Sequence, residues 1–194
     1  MYGMSTYSEE LKKELEDHLT ENSTIKRAVE NLNNEIYFDS WCKPLLAMIE
    51  YKQLDESNLS YLEIWDKSLH IEHIFPRGYN SNKAWSGFHG DKEIVEWINS
   101  GANLTLLSGA KNIAASNEGF PYKIGAYKEK GFYNSTNEGI TSFRITQQIV
   151  DDYNSNSFNK AWNWDAIHNR WNWFCGEVEA ILSIYLSEIK QNDD

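Results

Sequence analysis

The pattern of hydrophobic and polar positions predicts helices at both ends of the chain and short strands between them. Over residues 5–60, apolar side chains recur at helical spacing in three successive segments. Ser8 and Ser23 precede the first two segments as candidate N-caps, and Pro44 is tolerated in the first turn of the third. From about Asp165 the apolar positions form the stripe of one long amphipathic helix, which we expect to face a core.

Two short apolar runs in the middle of the chain are typical of β-strands. The first lies within Ser68–Arg77 and should end at Pro76, because proline cannot donate a hydrogen bond to a central ladder. The second, Ala102–Leu107, is rich in residues that favour strands. The turn Ser108–Asn112 follows it and leads into a short helix that begins at Ile113.

The segments that connect these elements are polar. Residues 77–100 have the Gly, Asn and Ser content of a loop, with a short helix predicted around 94–98. In the Asn- and Ser-rich region 131–160, Thr141–Thr146 fits either a strand or a tethering loop. We therefore expect one compact α+β domain, mostly helical. It comprises a helical support region at 1–60, a small ββα core at 61–130, and a loop with a long helix at 131–194.

The chemistry of the chain is concentrated at the end of the first predicted strand, where Glu72 and His73 are adjacent. Neighbouring side chains in a strand point to opposite faces, so the two can serve one centre only at a twist, a bulge or a strand end. Asn103 lies in the second strand, and Asn112 precedes the helix after it. This is the layout of a small metal-dependent nuclease centre.

The combination resembles the HNH, or His-Me finger (ββα-metal), endonucleases. More narrowly, it resembles the nuclease domain at the C-terminal end of GmrSD-type modification-dependent restriction enzymes. The segments that carry the resemblance are Ile71–Pro76, Ala102–Leu107 and Asn112, with a weaker echo at Trp164, Ile167 and Arg170. Ala102 stands where the family usually has glycine, and Gly101 lies beside it.

The resemblance implies a role for each residue of the motif. His73 would be the general base that activates water, since an ordinary histidine is neutral at working pH. Glu72 and Asn112 would hold one Mg²⁺ or Mn²⁺ ion, because carboxylate and amide oxygens suit hard cations. Asn103 would fix the loop and the ring of the base. Related nucleases mostly have Asp at the position of Glu72, so the backbone or a bridging water must absorb the longer side chain.

Each of these residues also has an ordinary structural interpretation. Taken alone, His73 fits a hydrogen-bonded core histidine, and Glu72 fits its surface neighbour. His70 is a candidate phosphate contact or accessory ligand, although structural use is favoured. Lys123 fits a phosphate contact and a solvated lysine at a helix boundary equally well. Asn117 is a weaker candidate, either as a metal ligand or as a substrate contact.

The charge distribution bears on the question of a nucleic-acid partner. A net charge of −11 argues against one. Between residues 66 and 130, however, eight Lys or Arg stand against seven Asp or Glu, a net of +1, so the remainder carries 10 minus 22, or −12. A near-neutral centre suits an enzyme that holds DNA weakly. The resemblance implies a partner domain or subunit that supplies DNA recognition and nucleotide binding.

Other classes of protein are disfavoured by composition. No apolar run reaches the roughly 18 residues of a membrane span, and the first residues do not read as a signal peptide, so we expect a cytoplasmic protein. Cys42 and Cys175 are isolated, which disfavours a disulfide and a structural zinc site.

We therefore expect a metal-dependent endonuclease that hydrolyses DNA phosphodiester bonds and restricts foreign or modified phage DNA. Two alternatives remain open. One is a non-catalytic nucleic-acid or protein-binding module on a nuclease fold, and the other is an RNA-cleaving nuclease of toxin type.

Overall fold

The computed structural model describes residues 13, 14, 17, 24–32, 35–53, 69–128 and 143–191. Its helices are α1 (Thr24–Asn31), α2 (Cys42–Lys52), α3 (Ile94–Trp97), α4 (Gly109–Ala115), α5 (Phe120–Lys128), α6 (Arg144–Asn154) and α7 (Trp164–Gln191). The strands are β1 (Leu69–His73) and β2 (Leu104–Ser108). Short 3₁₀ turns lie at Ile36–Phe38, Tyr79–Ser81, Lys83–Phe88 and Gly101–Asn103. The predicted α+β class, mostly helical, is confirmed.

The two strands pair antiparallel and lead directly into a helix. Their register is regular, from Leu69 opposite Ser108 to His73 opposite Leu104. β1 ends at His73, before Pro76, as predicted. Since α4 begins immediately after β2, the three elements form a ββα unit in chain order.

Hydrophobic side chains cover both faces of this small sheet. On one face Leu104 and Leu106 join a buried cluster with Leu32, which directly follows α1, and with residues of α2, α6 and α7. On the other face Leu107 joins a second cluster, formed with the loop after β1 and with α4 to α6. Trp171 of α7 packs against both clusters. The ββα unit is therefore held between helices from the two ends of the chain.

Most of the predicted helices are confirmed where the structure describes them. α1, α2 and α3 lie where the pattern placed them, and the predicted stripe of α7 is buried at Ile167, Phe174, Val178 and Ile181. The first predicted helix, with Ser8 as its cap, lies outside the described residues except for positions 13, 14 and 17, which are helical. Both cysteines are free thiols, Cys42 buried and Cys175 partly exposed. Among the described helices, none combines the length and hydrophobicity of a membrane span.

Two local predictions were wrong. The segment Thr141–Thr146 is not a strand or loop where it is described, because α6 begins at Arg144. Its first amides are capped from a distance, since the buried Glu50 carboxylate accepts from Arg144 N at 2.8 Å and Ile145 N at 3.0 Å. The helix predicted to begin at Ile113 begins four residues earlier, so Asn112 lies within α4.

Candidate active site

Glu72 forms a buried ion pair with a lysine of α5. Only 5% of Glu72 is exposed, and its Oε1 accepts from Lys123 Nζ at 2.6 Å and from the Tyr127 hydroxyl at 3.1 Å. Burial raises the pKa of the Glu72 carboxyl, and the Lys123 ammonium opposes that rise. The carboxylate therefore already has a counter-ion and a hydrogen-bond donor in the fold.

Lys123 is used differently from either sequence interpretation. It is fully buried, and its Nζ donates a second hydrogen bond to the backbone oxygen of His73 at 2.7 Å. Burial lowers the pKa of the Lys123 amine, while the Glu72 carboxylate opposes the shift. In this arrangement Lys123 is neither solvated nor presented to a phosphate, and it ties α5 to the end of β1.

His73 is held by an amide and an aromatic ring. Its Nε2 lies 3.0 Å from Oδ1 of Asn99, and its ring centroid lies 4.4 Å from that of Tyr37. The pKa of His73 is lowered to about 4, first because burial disfavours the charged ring, and further by Arg77 and Lys123. The ring is therefore neutral at physiological pH.

The partner of Asn99 fixes which nitrogen of His73 carries the proton. Asn99 Nδ2 donates to Oε1 of Glu35 at 3.3 Å, and a carboxylate oxygen can only accept. The amide oxygen of Asn99 therefore faces His73, so Nε2 must be the protonated nitrogen of the neutral ring. Nδ1 keeps its lone pair and has no hydrogen-bond partner among the described residues.

Glu72 and His73 leave the strand on opposite sides, as the pleat requires. Glu72 turns towards α5, and His73 turns towards Tyr37 and Asn99. The ladder between them is regular, without a bulge. At the end of β1, Lys123 Nζ contacts both the Glu72 carboxylate and the backbone carbonyl of His73. Lys123 therefore links the Glu72 side chain to the His73 backbone, while the His73 imidazole lies on the other side of the strand.

Asn103 holds the loop that follows β1. It is 1% exposed, and its side chain accepts from Phe75 N at 2.7 Å and donates to Phe75 O and Ile98 O, both at 2.8 Å. Its backbone oxygen accepts from Ile74 N at 2.9 Å. These bonds fix the chain just after His73. The side chain bonded to the His73 ring is that of Asn99, not Asn103.

Asn112 presents a buried acceptor without a donor. Its Oδ1 is buried and has no hydrogen-bond partner among the described residues. An unpaired buried acceptor costs about 1–3 kcal/mol, so Oδ1 of Asn112 favours a partner such as a water molecule, an ion or a substrate. The described residues contain no cluster of three or more His, Cys, Asp or Glu that could hold a metal. Of the two predicted ligands, Glu72 therefore has its Oε1 bonded to Lys123, and Asn112 has an oxygen that no described residue engages.

The structure keeps Asn117 and His70 apart from these hydrogen bonds. Asn117 lies against the turn after β1, where a Cβ added to Gly78 would approach its Nδ2 to 2.6 Å. Its backbone oxygen accepts from Asn82 Nδ2 at 3.0 Å. His70 is partly exposed and lies opposite Leu107 in the ladder.

Several residues at this site were not singled out from the sequence. Asn99 and Tyr37 contact the His73 ring, Tyr127 contacts Glu72, and the Arg77 guanidinium lies 5.8 Å from the Tyr37 ring centroid. Asn99 lies in an Asn-Ser-Gly run that resembles an ordinary turn, and Tyr37 lies in a region interpreted as helical support. Arg77 could have been singled out from the sequence, because it places a cation directly after Pro76 of the motif.

Comparison with known proteins places the chain in a family. Residues 19–177 match the model of the C-terminal domain of GmrSD restriction endonucleases. No curated protein and no solved structure matches the chain. The matched range contains the whole ββα unit and every residue named here in the candidate active site. The chain therefore belongs to the family of GmrSD restriction endonuclease C-terminal domains.

Proposed function

We propose that the chain is a metal-dependent endonuclease of the HNH, or His-Me finger, type, which hydrolyses DNA phosphodiester bonds in the restriction of foreign or modified phage DNA. The observation that carries the proposal is the His73 ring, held neutral with its Nδ1 lone pair unengaged by any described residue. Membership of a restriction endonuclease family supports the nuclease class. The ββα order of β1, β2 and α4 supports the type.

His73 is the general base in this proposal. Its Nδ1 takes a proton from a water molecule while the water oxygen forms a bond to phosphorus and the P–O ester bond breaks. The leaving oxygen takes its proton from solvent. A phosphate next to the ring stabilises the imidazolium that forms, because opposite charges favour the charged state. Asn99 keeps the ring in the required tautomer, and Asn103 holds the backbone beyond it.

Glu72 and Asn112 are the residues that would hold one Mg²⁺ or Mn²⁺ ion. The orphaned Oδ1 of Asn112 supports this assignment, as does the hard-oxygen chemistry of both groups. When bound, the ion supplies positive charge at the phosphate oxygens, where negative charge develops. The Lys123 ammonium neutralises Glu72 in the absence of the ion.

Lys123 and a metal ion therefore compete for one carboxylate, which calorimetry can test. Lys123→Gln should bind Mn²⁺ more tightly than the unsubstituted chain, because the carboxylate loses its resident cation. Glu72→Gln should bind it more weakly. Because Lys123→Gln leaves a buried charge unpaired, its folding must be checked by circular dichroism. Unchanged Mn²⁺ affinity in a folded Lys123→Gln chain and in Glu72→Gln would exclude Glu72 as a ligand.

Nicking of supercoiled plasmid tests the activity itself. We expect the purified chain to nick DNA with Mg²⁺ or Mn²⁺ and to stop in EDTA. His73→Ala should lose about 10²-fold to 10⁴-fold in rate, which is the usual contribution of a positioned base, and should retain Mn²⁺ binding. Full activity in EDTA would rule out the metal centre.

His70→Ala is the matched control, since this histidine lies on the same strand and the structure gives it no contact with the His73 ring. Its loss should be much smaller than that of His73→Ala. If His70→Ala were inactive and His73→Ala active, the base would be assigned wrongly.

Offering RNA beside DNA distinguishes this proposal from an RNA nuclease. A partner domain or subunit would supply DNA recognition and nucleotide binding, in the cytoplasm, and the near-neutral charge of the core supports that need.

A further inference from the structure

Close to Tyr37, which contacts the His73 ring, the chain exposes the large aromatic side chain of Phe38. Phe38 is 64% exposed and Trp41 is 43% exposed, three residues apart. The other large hydrophobic residues exposed among the described ones, Val95, Ile113 and Tyr122, are separated along the chain. A large aromatic ring exposed next to a candidate active site is typical of a binding surface.

The position of Phe38 is fixed by its neighbours. Ile36, at the start of the same 3₁₀ turn, is fully buried, and the backbone amide of Tyr37 donates to Asn99 O at 3.2 Å. The rings of Tyr37 and Phe38 meet edge to face with centroids 5.1 Å apart. The turn is therefore anchored from both sides, and the ring of Phe38 projects from an ordered support.

Arg77 adds a cation to this surface. Its side chain is exposed, and its Cζ lies 5.8 Å from the Tyr37 centroid and 5.6 Å from the Phe38 centroid. Arg77 forms no salt bridge with a described residue. No described residue accepts a hydrogen bond from the Arg77 guanidinium, and both rings lie within the range of a cation–π contact.

The surface is continuous with the proposed base. Tyr37 contacts Phe38 on one side and the His73 ring, at 4.4 Å between centroids, on the other. A nucleotide chain with a phosphate at His73 therefore has a neighbouring nucleotide within reach of Phe38 and Arg77.

We propose that Phe38 and Arg77, supported by Tyr37, bind an unpaired nucleotide of a single-stranded or locally opened DNA substrate. An exposed ring offers a face for stacking, and only an unstacked base has a free face to match it, because a duplex presents its phosphates and groove edges. Arg77 contacts the adjoining phosphate. Asp39 follows Phe38 directly, so the surface is not a general basic track, and stacking rather than charge supplies most of the binding.

This inference rests on the proposed function, because it takes DNA as the ligand. The test measures binding without cleavage, using the full chain in EDTA and the fluorescence anisotropy of a labelled single-stranded oligonucleotide and of a hairpin duplex of the same composition. The single strand should bind more tightly. Phe38→Ala should weaken its binding by roughly 10-fold to 100-fold, the usual contribution of stacking on one base, and Phe38→Tyr should retain it.

Tyr122→Ala is the matched control, an aromatic residue 50% exposed outside this surface, and should bind like the unsubstituted chain. Arg77→Ala should reduce the slope of log K against log salt by about 0.7, the value for one phosphate contact on a single strand. Equal binding by the Phe38→Ala chain, verified as folded by thermal melting, would overturn the inference, as would equal loss in Tyr122→Ala.

The two proposals fail in different ways. Binding that depends on Phe38 without any nicking activity would support the proposed binding surface and contradict the proposed endonuclease activity. Nicking that depends on His73, together with binding that is unchanged in Phe38→Ala, would support the endonuclease activity and contradict the proposed binding surface. Tight binding of the hairpin duplex with no effect of Phe38→Ala would place the DNA contact elsewhere.

Discussion

At the scale of single residues, the site depends on which atoms are already engaged. Glu72 has its charge balanced by Lys123, His73 has its Nε2 bonded to Asn99, and Asn112 has a buried oxygen with no donor among the described residues. The carboxylate of Glu72 is thus paired, whereas Nδ1 of His73 and Oδ1 of Asn112 have no partner among the described residues. Each can be altered by one substitution.

Asn99 should control the tautomer of His73. In the unsubstituted chain, ¹H–¹⁵N correlation spectra should report a neutral ring protonated on Nε2, because Asn99 offers only its amide oxygen. Asn99→Ala should mix the two tautomers and lower nicking by about 10-fold to 100-fold, a usual cost of losing an orienting partner. Asn99→Asp keeps an acceptor and should keep the tautomer. A His73 ring protonated on Nδ1 in the unsubstituted chain would contradict this network.

The neutral state of His73 should make the fold acid-sensitive. Its pKa is lowered to about 4 in the fold from an ordinary 6.5, so between these values the unfolded chain binds a proton that the folded chain does not. The protonation of His73 therefore has little effect on the free energy of unfolding above pH 6.5 and lowers it as the pH drops towards 4. Between pH 7 and pH 5 the free energy of unfolding of the unsubstituted chain should fall by about 2 kcal/mol more than that of the His73→Gln variant. Urea unfolding in EDTA measures the difference, and equal losses would mean an unshifted histidine.

At the scale of elements, the ββα unit is assembled by long-range bonds. α6 begins where Glu50 of α2 accepts from its first amides, and Lys123 of α5 holds the end of β1. α7 packs on the turn before β2, where the Phe174 ring lies directly over Gly101. Helices that are distant in sequence therefore determine where the strands and the candidate site residues lie.

A side chain at position 101 should destabilise the fold because of this contact. A Cβ on Gly101 would overlap the Phe174 ring, which is itself fully buried, whereas a Cβ on Gly87 would meet nothing within 4 Å. Gly101→Ala should destabilise the fold by about 1–3 kcal/mol, and Gly87→Ala should change it little. Thermal or urea unfolding of the two variants gives the comparison. Equal stability of both would show that α7 can shift away from the turn at no cost.

At the scale of the whole molecule, charge and architecture limit how the chain meets DNA. The 66–130 region has a net charge of +1 in the sequence, but two of its eight basic residues, Lys111 and Lys123, are buried. The remainder of the chain carries −12. The molecule therefore has little general attraction for a polyanion.

The isolated chain should show a shallow salt dependence on DNA. With one to three phosphate contacts, the slope of log K against log salt should be roughly −1 to −3 on duplex DNA, well short of a dedicated binder with six to ten contacts. Fluorescence anisotropy at several salt concentrations measures it. A steep slope would show that a basic surface has been overlooked.

The local pattern predicted what depends on neighbouring residues. The proline stop after β1, the short helix α3, the beginning of α7 and the motif of Glu72, His73, Asn103 and Asn112 can all be read from nearby residues. The start of α6 was mispredicted because its cap, Glu50, lies more than ninety positions away. The same reason hid the pairing of Lys123 with Glu72 across 51 positions.

The sequence by itself therefore determined the family, the class of fold and the candidate residues for catalysis and metal binding. The tertiary structure decided how those residues are used. Only folding buries Glu72 beside a lysine, leaves the Asn112 oxygen with no donor among the described residues, and sets Asn99 against Nε2 of the imidazole. Burial and hydrogen bonding between distant segments set the charge and tautomer of a side chain, and neither property is written in its neighbours along the chain.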